Sequence, residues 1–222
     1  MDKTFSVKQA FSFAWEKFWS RWKFYVGVIV VAMAISWVVS VLAALFEDVM
    51  VVSALISIIS IVVQVLISIG VITIFIKSAR DESVAWSDLW TNKGRFLQFL
   101  GVSILYQIIV LVGLVVLIIP GIYLGIRYQY AQYAILDDRT SSIGAAFKRS
   151  AVITKDIKWR LVLLWLASVG VMLLGLLALG IGMLAAAPIT ALAQAFVYVY
   201  IRKTYHGDFQ EGETVVDAEV AA

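Results

Sequence analysis

Apolar positions along this chain fall in long unbroken runs rather than in the alternating or one-faced patterns of soluble domains. From Phe96 to Leu136, 41 residues carry one charge, Arg127, and from Leu161 to Ile201 another 41 carry none. One bilayer crossing takes about 20 apolar residues, so each run holds two. Shorter runs at 24–46 and 49–76 add two more, parted by Glu47 and Asp48. Six spans are therefore predicted: 24–46, 49–76, 97–119, 121–136, 161–179 and 181–201. Each 41-residue run has a helix breaker near its middle. Pro120-Gly121 is the predicted hairpin turn of the first, because proline disfavours helical geometry at Ile119 and glycine tolerates a turn. Gly180-Ile181-Gly182 breaks the second. The fold class is all-α, a polytopic membrane helical bundle of six transmembrane helices in three hairpins.

Charge placement orients the spans. Lys3, Lys8, Lys17, Arg21 and Lys23 precede span 1; Lys77, Arg80, Lys93 and Arg95 lie between spans 2 and 3. Arg139, Lys148, Arg149, Lys155, Lys158 and Arg160 lie between spans 4 and 5, and Arg202 and Lys203 follow span 6. The three opposite turns hold none. Positive loops face the cytoplasm, so both termini are expected inside, in a bacterial cytoplasmic (inner) membrane. The first apolar run is longer than the core of a cleavable signal peptide. With no cysteine, disulfides and thiolate metal sites are excluded.

The three cytoplasmic segments resemble one another. Ser6-Val7-Lys8-Gln9-Ala10-Phe11 parallels Ser142-Ile143-Gly144-Ala145-Ala146-Phe147. Arg21-Trp22-Lys23-Phe24 parallels Lys158-Trp159-Arg160-Leu161, and Lys93-Gly94-Arg95-Phe96 stands at the matching place before span 3. Residues 1–203 thus read as a single membrane domain of three like-oriented units, about 1–76, 77–138 and 139–203. Each unit has a cytoplasmic interfacial helix, a basic-x-basic knot and a hairpin. A shared need for Lys, Trp and Phe at the membrane surface would produce similar segments without duplication. Residues 204–222 read as an acidic, disordered cytoplasmic tail, with His206 a solvated histidine.

In the first segment Phe11, Trp15, Phe18 and Trp22 share one helical face, opposite Lys8, Ser12, Glu16 and Ser20. Such a helix lies in the headgroup layer, aromatics down. Trp15, Trp19, Trp22, Trp90 and Trp159 are the expected interfacial anchors, with Trp86 beside them.

The stretch Ile118-Ile119-Pro120-Gly121-Ile122-Tyr123-Leu124-Gly125-Ile126-Arg127-Tyr128, followed by Ala134-Ile135-Leu136-Asp137-Asp138, Ala145-Ala146-Phe147-Lys148-Arg149-Ser150 and Thr154-Lys155, resembles a group of bacterial membrane proteins. These are the YciC-like proteins and the membrane domain preceding some glycerophosphodiester phosphodiesterases. The resemblance is best over 111–201 and implies a six-span helical fold. Phosphodiesterase activity in that family belongs to a separate soluble barrel rich in histidines and carboxylates. With one histidine and no room for a barrel, this chain is expected to lack it.

Arg127 is the sharpest anomaly. It lies six residues past Gly121, about 9 Å into span 4 at the helical rise. A charge at that depth costs several kcal/mol unless paired or hydrated. It reads either as an anion or lipid-phosphate contact, or as the lining of an aqueous path. A structural arginine that snorkels outward or bonds carbonyls of the broken hairpin is the plainer alternative. No acid lies within a predicted span to pair with it, and Glu47 or Asp48 on the outer turn are the acids expected to reach down. Arg21, Lys23, Lys93, Arg95, Lys158 and Arg160 complete the candidate lipid- or anion-binding set. Gln64, Gln107, Gln129, Gln132 and Gln194 read as interhelical packing contacts, and the stripes Gly121/Gly125 and Ala187/Ala191/Ala195 as close helix contacts. Pro188 is expected to kink span 6. Asp81, Glu82, Asp88, Asp137, Asp138 and Asp156 read as a solvated mixed-charge surface.

No catalytic constellation, metal-spaced cluster or phosphate loop stands out, so no enzyme activity, cofactor or metal is expected. The expected role is a non-enzymatic membrane protein interacting with lipids, chiefly anionic headgroups, or with other membrane proteins or a second copy, in scaffold, assembly or envelope stress. Nucleic acid is not an expected partner. The alternative is a small transporter or channel with Arg127 lining its path.

Overall fold

The computed structural model describes residues 5–46, 48–137, 142–155, 157–178 and 180–204. Glu47, Asp138, Arg139, Asp156, His206 and the acidic tail lie outside the described residues. Among the described residues the regular elements are helical: α1 (Val7–Ser20), α2 (Trp22–Leu45), α3 (Met50–Ala79), α4 (Phe96–Val116), α5 (Ile118–Tyr128), α6 (Ala131–Asp137), α7 (Ile143–Ile153), α8 (Lys158–Leu177) and α9 (Met183–Thr204). Two short 3-10 turns, Trp86–Trp90 and Lys93–Arg95, lead into α4. Five segments are long and apolar enough to cross a membrane: α2, α3, the run ending in α4, α8 and α9.

The predicted span 121–136 is not one helix. It divides into α5 and α6 around Gln129 and Tyr130. In an unbroken helix the Arg127 carbonyl would accept the Ala131 N–H. Here it accepts the Ser150 hydroxyl at 2.8 Å and the Thr154 hydroxyl at 3.1 Å, both from α7. The hydroxyls of α7 thus replace the helical partner where the helix ends.

The turn before α5 also departs from expectation. The break falls at Leu117, which is extended with φ −160° and ψ 138°, while Pro120 and Gly121 lie inside the first turn of α5. Proline is tolerated there because N–H groups of a first turn have no intrahelical acceptor. Gly121 serves contact instead of the turn: a Cβ on it would sit 2.6 Å from the Leu114 backbone nitrogen. Gly113 faces it across the hairpin. The α8–α9 hairpin repeats the device. Gly175 and Gly182 touch backbone to backbone, and Gly180 turns the chain at φ +75°, where the sequence placed the break.

α9 is the central post. It packs against α1, α2, α3 and α8, and its apolar window is 56% buried, against 6% for α2 and 11% for α3. Its alanines admit close neighbours: Ala186, Ala193 and Ala195 are buried, with Pro188 also inside the helix. The main core gathers Phe18, Tyr25, Phe75, Tyr130, Leu161, Leu192 and Tyr198. A second cluster, with Ile69, Phe99, Val102, Ile135 and Phe147, joins α3, α4, α6 and α7. By contrast α2 beyond Val28 and the first half of α3 are largely exposed and apolar.

The interfacial segments follow a cyclic order. The 3-10 turn Trp86–Trp90 packs on α3 of the hairpin before it, α7 packs on α4, α5 and α6 before it, and α1 packs on α9 and α8, the last hairpin. Glycines mark two of these seats. A Cβ on Gly70 would lie 2.4 Å from the Leu89 carbonyl oxygen, and one on Gly101 would lie 2.5 Å from Ile143 Cδ1. The middle segment is thus a pair of 3-10 turns, not the helix expected, because it is too short to carry a helical face.

Candidate functional site

The three basic-x-basic knots each send one arginine to a backbone carbonyl of another segment. Arg21 donates to the Val84 carbonyl at 3.4 Å, Arg95 to the Ile135 carbonyl at 2.5 Å and Arg160 to the Phe5 carbonyl at 2.7 Å. Val84 and Phe5 are buried and each lies two residues ahead of its interfacial element. These three arginines therefore each tie one segment of the chain to another. Guanidinium suits this use because its fixed fork of donors stays charged and can bond a carbonyl at the end of a long stem.

Lys23 and Lys93 are exposed. Lys23 lies over the Trp22 ring at 5.8 Å. Trp15, Trp19, Trp22, Trp86, Trp90 and Trp159 are all exposed. On α1, however, Phe18 does not share their face. It is buried with Ala10 and Ala14 against α9, and Phe13 stacks on Phe196 at 4.6 Å between ring centres. The helix has two apolar faces, one for the bundle and one carrying the tryptophans. A single amphipathic stripe read from Phe and Trp alone merges them.

The carboxylates are not all solvated. The Asp137 side chain is 1% exposed, and its two oxygens meet Arg80 at the end of α3 and Arg202 at the end of α9. One acid thus joins the last turns of three return helices. Asp88 bonds Lys77 at 2.5 Å and accepts the Ala85 N–H at 2.9 Å. Burial pushes the Asp88 carboxyl up, but the bond from Lys77, the Ala85 N–H and the Lys77 charge outweigh it and hold it below its ordinary value. Asn92 donates to the Thr73 hydroxyl at 3.0 Å in the same region. A cleft of about 120 Å³ opens among Thr73, Lys77, Arg80, Glu82, Asn92 and Asp137. The sequence offered no signal for it, because these residues come from three segments that meet only in the fold.

Arg127 does not line this cleft. It stands on α5 one turn beyond Tyr123, with its guanidinium 5.4 Å from the Tyr128 ring centre. Lys158, the first residue of α8, donates to the Tyr123 hydroxyl at 2.6 Å, its ammonium 4.4 Å from that ring's centre. Arg127, four residues on from Tyr123, stands on the same face of α5. Two candidate cations that the sequence places 31 positions apart thus flank one tyrosine. Asp48 is not a partner of Arg127, which has no carboxylate contact among the described residues. Of the glutamines, Gln64 bonds Ser36 and Gln132 bonds Ser103, each at 3.1 Å and each between helices. Gln129, in the break after α5, donates back to the Ile126 carbonyl of that helix.

Residues 106–205 match the model of a family described as a protein of unknown function (DUF975). The matched stretch holds Tyr123, Arg127 and Lys158 and overlaps the region where the resemblance noted above is strongest. Nothing in the match connects the chain to the YciC-like proteins or to the phosphodiesterase membrane domain. Comparison with curated proteins and with solved structures finds no match.

Proposed function

We propose that this is a non-enzymatic multi-pass membrane protein that engages lipids or another membrane protein through its apolar flank, as a scaffold or assembly factor. One observation carries the reading. The α2–α3 hairpin projects beyond the packed core with apolar side chains exposed on most sides, including Met33, Trp37, Leu55 and Ile58. A hairpin of that composition is stable only in hydrocarbon or against a partner. Topology follows the same reading. α5 and α6 together cross once, giving six crossings, with both termini cytoplasmic by the positive loops. The similar clamps and the cyclic seating of the interfacial segments support three duplicated units.

The native chain has no cysteine, so single cysteines report without background. Spin labels at Met33, Leu55 and Ile58 in nanodiscs are expected to collide with oxygen and stay shielded from a water-soluble nickel complex. Access by nickel along one face would instead mark an aqueous path. Solute or ion flux restored by wild-type protein in liposomes would then replace the scaffold reading by the transporter one.

A further inference from the structure

We propose that Tyr123, Arg127 and Lys158 form a binding site for a phosphate group, with the two cations as its charges and the tyrosine hydroxyl as its neutral donor. The inference rests on the multi-pass, lipid-engaging reading above and names a ligand chemistry at one place away from the apolar flank.

The argument begins with charge balance. Seven bases in the described bundle hold a carboxylate or a backbone carbonyl. Lys77 meets Asp88, Arg80 and Arg202 meet Asp137, and Lys17 meets Asp81 at 2.5 Å. Arg21, Arg95 and Arg160 hold backbone carbonyls. At Tyr123 the pattern differs. Lys158 bonds the neutral Tyr123 hydroxyl, Arg127 stands one turn further along the same face of α5, and neither meets a carboxylate among the described residues. A phenol oxygen accepts a hydrogen bond from a cation but cannot neutralise two. Two like charges drawn together without an anion repel; a bound anion reverses the sign of that interaction.

The site is also built. Tyr123 and Arg127 are four residues apart on α5 and so share one face. The Arg127 backbone is held by Ser150 and Thr154 of α7, and Thr154 is fully buried. Lys158 is fixed by its place at the start of α8, beside the buried Ile157 and Leu161. Tyr106 donates to the Gly125 carbonyl at 3.2 Å, which ties this stretch of α5 to α4. The functional ends remain open: Tyr123 is 41% exposed and Trp159, next to Lys158, is 76% exposed. A guanidinium presents paired donors to phosphate oxygens, and an ammonium adds a mobile point charge. The phosphate could belong to a lipid headgroup or to a free anion. The neighbouring exposed tryptophan is of the type that sits at headgroup depth.

The test compares wild type with Arg127→Gln, Lys158→Gln, Tyr123→Phe, Arg127→Lys and Lys93→Gln. Each is placed in nanodiscs of mixed phosphatidylglycerol and phosphatidylcholine, and retained lipid is read by native mass spectrometry. Wild type is expected to keep phosphatidylglycerol. Arg127→Gln and Lys158→Gln should each weaken retention about tenfold, which is the loss of one charge-assisted contact. Tyr123→Phe and Arg127→Lys should each lose less, the lysine keeping the charge but not the paired donors, and Lys93→Gln should resemble wild type. In parallel, delipidated protein is titrated with inorganic phosphate and its melting temperature followed. A rise in wild type that Arg127→Gln lacks, without phosphatidylglycerol retention, supports the site with a free anion as its source. Equal retention and equal phosphate response in wild type, Arg127→Gln and Lys158→Gln overturn the proposal. So does an equal loss in Arg127→Lys and Arg127→Gln accompanied by a lowered melting temperature, which marks a structural arginine. Loss in Lys93→Gln with none in Arg127→Gln leaves lipid binding at the surface standing and removes it from this site.

Discussion

Arg160 donates to the backbone carbonyl of Phe5 at 2.7 Å, across 155 positions of sequence. The bond fastens the start of the chain to the first turn of the last hairpin. Phe5 is fully buried, so its carbonyl has little access to water as a substitute partner. Arg160→Ala is expected to loosen α1 from α9 by about 1.5–3 kcal/mol, the range for a hydrogen bond to a charged group. Hydrogen exchange in α1 should quicken while exchange in α4 stays unchanged. Unchanged protection in α1 would show that apolar packing alone seats it.

Asp137 yields a larger effect. It is buried between Arg80 and Arg202, so removing its charge leaves two guanidinium groups facing each other. Asp137→Asn should lower stability by about 3–5 kcal/mol, as expected when one partner of a buried ion pair is removed. A melting curve in detergent measures this. Replacing exposed Asp81, paired with Lys17, should cost less than about 1 kcal/mol.

Close helix approach gives a steric prediction. Gly121→Ala places a methyl group 2.6 Å from the Leu114 backbone nitrogen, where no side chain can move aside. Overpacking of this kind costs about 1–3 kcal/mol. Gly170→Ala, with nothing within 4 Å of the new Cβ, serves as the comparison and should be neutral or mildly stabilising in the same melting assay.

Among the described residues the Tyr130 hydroxyl is buried without a hydrogen-bond partner, in a cluster with Tyr133 and Tyr198. Tyr130→Phe removes a desolvated donor and keeps the ring. It should raise stability, by about 1 kcal/mol on the scale for unsatisfied polar groups. A drop in melting temperature would reveal a partner for the hydroxyl.

The Asp88 clamp should fail only in strong acid. Its carboxyl is held below the ordinary value of 3.8, so it binds fewer protons folded than unfolded at that pH. Its contribution is therefore full above that value and is lost as pH falls through the lowered folded value. Fluorescence from the flanking Trp86 and Trp90 should report loosening below pH ~4 in wild type. Asp88→Asn should lack this transition.

Much of the helical order was legible from apolar run length alone, because a bilayer demands a fixed number of apolar residues whatever their identity. The long helices at 22–45, 50–79, 96–116, 158–177 and 183–204 follow the predicted runs closely. The split between α5 and α6 was not legible. It depends on Ser150 and Thr154, which reach Arg127 only after α7 has folded back. Likewise Asp137 looked solvated because its neighbours in sequence are polar, whereas its partners arrive from α3 and α9. Of the candidate anion-binding residues, the sequence supplied the right residue types but could not divide them. A lysine or arginine at a membrane surface looks the same whether it faces a carbonyl, a tryptophan or another cation.

The cyclic seating of the interfacial segments has a consequence for biosynthesis. The middle and last segments can dock as soon as they emerge, since the hairpin each rests on has already been made. α1 is made first, and its seat on α8 and α9 is made last. With the Phe5–Arg160 separation of 155 residues, translation at about 5–20 residues per second leaves α1 without its partner for roughly 10–30 s. During that interval its bundle face, with Ala10, Ala14 and Phe18, has no protein to cover it, and the exposed Trp15, Trp19 and Trp22 give it a hold on the lipid surface. On the membrane reading proposed above, the tryptophans of α1 would tether an unfinished protein, holding this helix at the height where the α8–α9 hairpin will arrive.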